Sequence, residues 1–100
     1  MEKIFKALGE KTRCELLLII SEHSQICLCE LESAFKLSTS NLSRHLKELE
    51  GAKLLSSEKI GKWKHYKVTE LGSKSVDFIY SIDSEKFNFK TIKKLGGIQC

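Results

Sequence analysis

One hundred residues, 41% of them hydrophobic and 30% charged, make one small globular domain and exclude wholesale disorder. A chain this short buries only about two-thirds of its unfolded surface, which leaves no space for a roomy enclosed active site. The longest apolar run, Leu16 to Ile20, is too short to cross a bilayer, and no long apolar stretch near the N-terminus reads as a secretory signal, so the expected location is cytoplasmic, with no membrane partner.

The net charge of +4 is unevenly placed. Residues 1–35 hold four basic and six acidic side chains, residues 36–67 hold eight and three, and residues 68–100 hold five and four. A basic block in the middle third is a candidate footprint for phosphates. There is no proline, no internal repeat and no low-complexity linker, so glycines do the punctuating.

In chain order, a short helix runs through Ile4, Phe5 and Leu8 and stops near Gly9. A second spans about Lys11 to Ser21, with Cys14, Leu17 and Leu18 on one stripe. A third begins near Cys27 and turns Leu28, Leu31 and Phe35 inward. The fourth is the clearest. Ser38 is its N-cap residue, Leu42, Leu46 and Leu49 share one face, and Ser40, Arg44 and Lys47 share the other. Gly51 is read as its terminating glycine. A strand from Leu54 to Ile60, the turn Gly61-Lys62 and a strand from Trp63 to Thr69 form a hairpin, with glycine placed for a type II′ turn. Tyr66 and Val68 point one way and His65 and Lys67 the other, while Trp63 and Tyr66 are expected to pack beneath the hairpin. From Glu70 a last helix sets Leu71, Phe78, Ile79 and Ile82 on one side. The expected fold is mainly α with a small β-hairpin: a winged helix-turn-helix in one domain over residues 1–100, with the helix-turn-helix at 27–50, the wing at 54–69 and a tail at 87–100.

This layout suits double-stranded DNA. The major groove admits one α-helix, and that helix's first residues reach base edges. Ser38, Thr39, Ser40, Asn41 and Ser43 offer short polar groups there, followed by Arg44 and Lys47. Lys62 and Lys64 on the wing would sit over the phosphate backbone and fix register without reading sequence. His45, at the edge of the apolar stripe, is given a structural role.

The four cysteines are Cys14, Cys27, Cys29 and Cys100. Cys14 reads as a small buried hydrophobe. Cys27 and Cys29 form a soft-ligand pair. Residues i and i+2 lie 200° apart on an α-helix, so one ion should grip both only if the first turn of their helix is distorted. Such distortion would lower DNA affinity, and DNA would weaken ion binding by the same factor. A purely redox role for the pair is the other regulator reading. An enzyme is disfavoured, because neither a CxxC nor a glycine-rich phosphate loop is present.

Four motifs in order, Phe5-Lys6-Ala7-Leu8-Gly9-Glu10-Lys11-Thr12-Arg13, Ile26-Cys27-Leu28-Cys29-Glu30-Leu31, Ser40-Asn41-Leu42-Ser43-Arg44-His45-Leu46 and Gly61-Lys62-Trp63-Lys64-His65-Tyr66, resemble the ArsR/SmtB family of metal-responsive transcriptional repressors, and within it the arsenical-resistance repressors. The resemblance covers most of residues 4–70. It implies a homodimer built by the helices at 1–8 and 70–86, an operator as DNA partner, no permanent cofactor, and release when trivalent arsenic or antimony binds Cys27 and Cys29. Cadmium-, lead- or zinc-responsive relatives supply the alternative effectors. The chain departs from the arsenical pattern at Glu32, where a third cysteine would stand; Cys14, Cys100 or an external thiol could complete three-thiolate binding. It also lacks the cysteine-bearing N-terminal arm of cadmium and lead sensors and any histidine after His65, so the zinc site of some relatives is not expected in the last helix.

Overall fold

In a computed structural model, residues 2–83 are described. The expected tail at 87–100 and Cys100 lie outside them. Five helices and three strands follow in the order α1 (Glu2–Leu8), α2 (Lys11–Ser21), β1 (Ile26–Cys27), α3 (Leu28–Phe35), α4 (Thr39–Gly51), β2 (Leu55–Ile60), β3 (Trp63–Val68) and α5 (Glu70–Asp83).

The second helix is the centre of the fold. Its run Leu16 to Ile20 is fully buried on every side, more than the single stripe expected, because α1, α4, α5 and β3 all pack on it. Leu31 of α3 and Leu42, Leu46 and Leu49 of α4 complete the core from the other side.

The third and fourth helices form the helix-turn-helix. Lys36, in the left-handed conformation at φ 52°, closes α3. Ser38 then opens α4 as expected, its Oγ accepting from the Asn41 amide at 3.2 Å. The end of α4 differs from the expectation. Gly51 is still helical, and Ala52 is the C-cap. Lys53 takes the left-handed position at φ 64°; its amide donates to Glu50 O at 2.9 Å and that of Leu54 donates to Leu49 O at 3.0 Å. This pair of bonds is a Schellman closure, joined by apolar contact between its first and last members. Burial of Leu54 and Leu49 fixes the register of the closure, and lysine rather than glycine occupies the left-handed position.

The sheet has the order β1-β3-β2, all antiparallel. The two-residue strand β1 was not foreseen. It pairs Ile26 with Tyr66 and Cys27 with His65, so the entry to α3 is stitched to the wing. Ile60 pairs with Trp63 across the two-residue turn, and Gly61 has φ 64° while Lys62 does not share a positive φ, as a type II′ turn requires. Tyr66 is buried as expected, but Trp63 is 42% exposed. Strand alternation puts Trp63 on the face of His65 and Lys67, away from the core.

Thr69 joins the end of α4 to the start of α5. Its Oγ1 donates to Lys53 O at 2.7 Å and accepts from the Gly72 amide at 3.0 Å. Glycine is required at 72, since a Cβ there would lie 2.1 Å from Leu54 O. The apolar residues of α5 divide between two faces. Val76 and Ile79 enter the core, whereas Leu71, Phe78 and Ile82 are exposed. The single apolar side expected for this helix is thus two stripes, one internal and one outward.

Candidate nucleic-acid interface and cysteine pair

The outer face of α4 is polar and open. Ser38, Thr39, Ser40, Asn41, Ser43, Arg44 and Lys47 are all exposed, while Leu42, His45, Leu46 and Leu49 are buried. Two of the nominated residues also have partners inside the fold: Ser38 caps α4, and the Thr39 hydroxyl donates to the Glu32 carboxylate of α3. Glu32, the position at which the arsenical pattern has its third cysteine, therefore ties α3 to the start of α4.

His45 is the polar residue that seats this helix. Arg13 Nε lies 3.3 Å from His45 Nδ1. A guanidinium has only donors, so Nδ1 must accept, and the neutral ring keeps its proton on Nε2. That nitrogen faces Glu10 Oε1 at 3.4 Å. Burial holds the His45 pKa below its ordinary value; Glu10 opposes this, and Arg44 and Arg13 add to it. Arg13 also donates to Lys6 O at 3.1 Å and pairs with Glu10 at 3.3 Å. One arginine thus fastens the end of α1, the start of α2 and the middle of α4. Sequence reading assigned His45 a structural role but missed Arg13 and Glu10, since nothing local links positions 32 residues apart.

The wing is braced against α4. Glu50 accepts from Ser57 Oγ at 2.7 Å and faces Lys64 Nζ at 3.8 Å. Lys64 also lies over the Tyr66 ring at 5.5 Å, and Lys62 over Trp63 at 5.9 Å. Both lysines remain exposed. Burial pushes the Tyr66 hydroxyl up, with nearby Lys64 acting the other way.

The cysteine pair sits where β1 meets α3. Cys27 is not in the helix. It is the N-cap of α3, with extended backbone at φ −80°, ψ 145°. Its Sγ accepts from the Glu30 amide, and Glu30 Oε1 accepts from the Cys27 amide at 3.0 Å, a reciprocal capping box. Cys27 Sγ and Cys29 Sγ are 3.1 Å apart. The 200° divergence expected for these residues does not occur, because one of them precedes the first helical turn. The two sulfurs converge while α3 stays wound, and the need for distortion on that ground falls away.

Cys14 is a buried thiol donating to Leu8 O at 3.0 Å, and burial, then Glu15, pushes its pKa up. It is not brought to the pair. Among the described residues, no three His, Cys, Asp or Glu side chains form a group able to hold a metal ion. The two adjacent sulfurs suit a thiophilic ion, but a third donor must come from outside these residues.

Residues 10–57, the second helix through the start of the wing, match the family described as "Bacterial regulatory protein, arsR family". The arsenical resistance operon repressor of Escherichia coli K12 is 34% identical over 88 residues, covering 84% of this chain and 75% of that protein. The chain belongs to the arsR family. A second relative, the arsenic resistance transcriptional regulator ArsR1 of Pseudomonas putida, is 37% identical over 65 residues, 65% of this chain and 51% of that protein. Among solved structures, HlyU from Vibrio cholerae N16961 superposes with a TM-score of 0.74 at 21% identity, covering 83% of this chain and 90% of that one. That likeness concerns the fold, which is the winged helix-turn-helix of DNA-binding transcription regulators. Among the described residues, no helix is long and apolar enough to cross a membrane.

Proposed function

We propose that this arsR-family member is a homodimeric repressor that binds an operator near its own promoter and is released when trivalent arsenic or antimony binds Cys27 and Cys29. The observation that carries the reading is the position of Cys27. One sulfur caps α3, lies 3.1 Å from a second sulfur and belongs to a residue paired with His65 of the wing.

A bound ion takes up a lone pair of Cys27 Sγ, the atom that accepts the Glu30 amide. The effect reaches DNA by two routes: a weakened cap at the start of α3, which supports α4, and a pull on β3, which carries the wing. The third thiolate comes from Cys100 or a small-molecule thiol. Ser38, Thr39, Ser40, Asn41, Ser43, Arg44 and Lys47 enter the major groove, and Lys62 and Lys64 hold phosphates.

Dimerisation is supported by an apolar groove between α1 and α5, about 230 Å³, lined by Ile4, Phe5, Leu8, Leu71 and Phe78 among others. Phe5 and Phe78 are 61% and 54% exposed, an area that a second copy would cover.

The test is binding of the reduced protein to a fluorescent fragment of its own promoter, with arsenite, antimonite, cadmium, zinc or peroxide. Arsenite is expected to lower affinity about tenfold or more, and Cys27→Ser to abolish that response while keeping unliganded binding. An unchanged arsenite response in Cys27→Ser would reject the pair as sensor. A response to peroxide alone would replace the metalloid with an oxidant.

A further inference from the structure

A cleft of about 280 Å³ opens between α1 and the C-terminal half of α4, lined by Lys3, Lys6, Lys47, Glu48, Gly51 and Ala52. We infer that it holds a phosphate of the DNA backbone beside the major-groove contact, which makes α1 part of the nucleic-acid interface. The inference rests on the proposed DNA-binding role and extends it to residues outside the recognition helix and wing.

Three observations support it. First, the lysines have no competing partner: among the described residues, Lys3, Lys6 and Lys47 take part in no ion pair, unlike Lys64, which faces Glu50. Three ammonium groups around one cleft repel each other, and an anion between them removes that cost.

Second, the end of α4 does not explain them. A helix C-terminus attracts cations through its last four carbonyls, but three of them, Glu48 O, Leu49 O and Glu50 O, already accept from the Ala52, Leu54 and Lys53 amides, and the carbonyl of Gly51 alone is a small counterweight to three ammonium groups.

Third, the cleft lies on the correct side. At 100° per residue, Lys47 and Gly51 project within about 20° of Ser40, opposite Leu42, Leu46 and Leu49. Lys47 is about 10 Å along the axis from Ser40, so a helix with its first turn in a groove about 12 Å wide brings this end out at the flanking backbone. Glu48 is the opposing charge, a carboxylate on the wall that repels phosphate. Lys3 and Lys6 stand in the acidic third of the sequence, where a count of charges by segment hides them.

The experiment measures affinity against salt concentration for the promoter fragment and for a scrambled duplex of equal length. Each lost phosphate contact should flatten the slope of log K against log salt by about 0.9. The double variant Lys3→Gln/Lys6→Gln is expected to be shallower by about 1–2 per protomer and to lose affinity several-fold, equally on both duplexes. Lys11→Gln, an exposed α2 lysine outside the cleft, should match the parent. Glu48→Gln should bind both duplexes several-fold more tightly, a gain that misfolding cannot mimic. Parental slopes in the lysine variant, or a loss confined to the promoter fragment, overturn this inference and leave the regulator reading standing. Absence of DNA binding by the parent overturns both.

Discussion

The two helices of the helix-turn-helix end alike and begin differently. Each ends on a lysine in the left-handed conformation, Lys36 at φ 52° and Lys53 at φ 64°. Each begins with a side chain accepting the amide three residues on, Ser38 for α4 and Cys27 for α3. One acceptor is an exposed hydroxyl and the other a buried thiol. Oxygen in that place only holds a helix. Sulfur holds a helix and also offers lone pairs to a soft ion, so the capping role and the proposed sensing role meet on one atom. Because Cys27 is also paired with His65, whatever disturbs the cap of α3 also reaches the wing.

The largest expected effect tests that difference in chemistry. Cys27→Ser exchanges the sulfur for the α4 type of cap, and it should remove the whole arsenite response, about 1–3 kcal/mol of coupling, in promoter-binding titrations. Ser38→Cys should create no new response, because no second sulfur stands beside it. Arg13→Ala comes next. It removes the donor to His45 and to the end of α1, leaving Nδ1 of the buried His45 unpaired, and should cost about 2 kcal/mol in chemical denaturation. DNA affinity should fall with it, since α4 loses its seat. Smaller still are the caps themselves: Ser38→Ala and Cys27→Ala should each cost about 1 kcal/mol, with Cys27→Ser nearer the parent than Cys27→Ala. The shared helix ends give a gain of about 0.5–1 kcal/mol each, because Lys36→Gly and Lys53→Gly relieve the left-handed backbone.

Acidification gives a further slope. The pKa of His45 is lowered by burial in the fold, so the unfolded chain takes up the proton first. Stability from the neutral ring is complete above the ordinary histidine pKa of about 6.5 and is lost as pH falls through the lowered value. His45→Gln should flatten that part of a stability-against-pH curve.

The comparison also explains what could be read from the chain alone. Ser38 was legible because serine before a periodic apolar run is the usual start of a helix. Cys27 was not legible as a cap: cysteine is no common capping residue, and its extended backbone is held by a two-residue strand whose partner lies nearly forty positions away. Gly51 misled because residue type suggested an end that burial of Leu49 and Leu54 places two residues later. The last helix misled for a related reason. Leu71, Phe78 and Ile82 are as apolar as Val76 and Ile79, and hydrophobicity alone does not tell a face turned to the core from one turned outward. The polar face of α4 was fully legible, since 3.6-residue periodicity separates Ser40, Arg44 and Lys47 from Leu42, Leu46 and Leu49 without help from the rest of the fold.

The most direct measurement is amide hydrogen exchange of the reduced protein as arsenite is added, followed at Glu30 and Asn41, the amides received by Cys27 and Ser38. The account expects Glu30 to lose protection in step with release from DNA, while Asn41 and the later turns of α3 keep theirs. Release with Glu30 still protected, or loss of protection along the whole of α3, would contradict it.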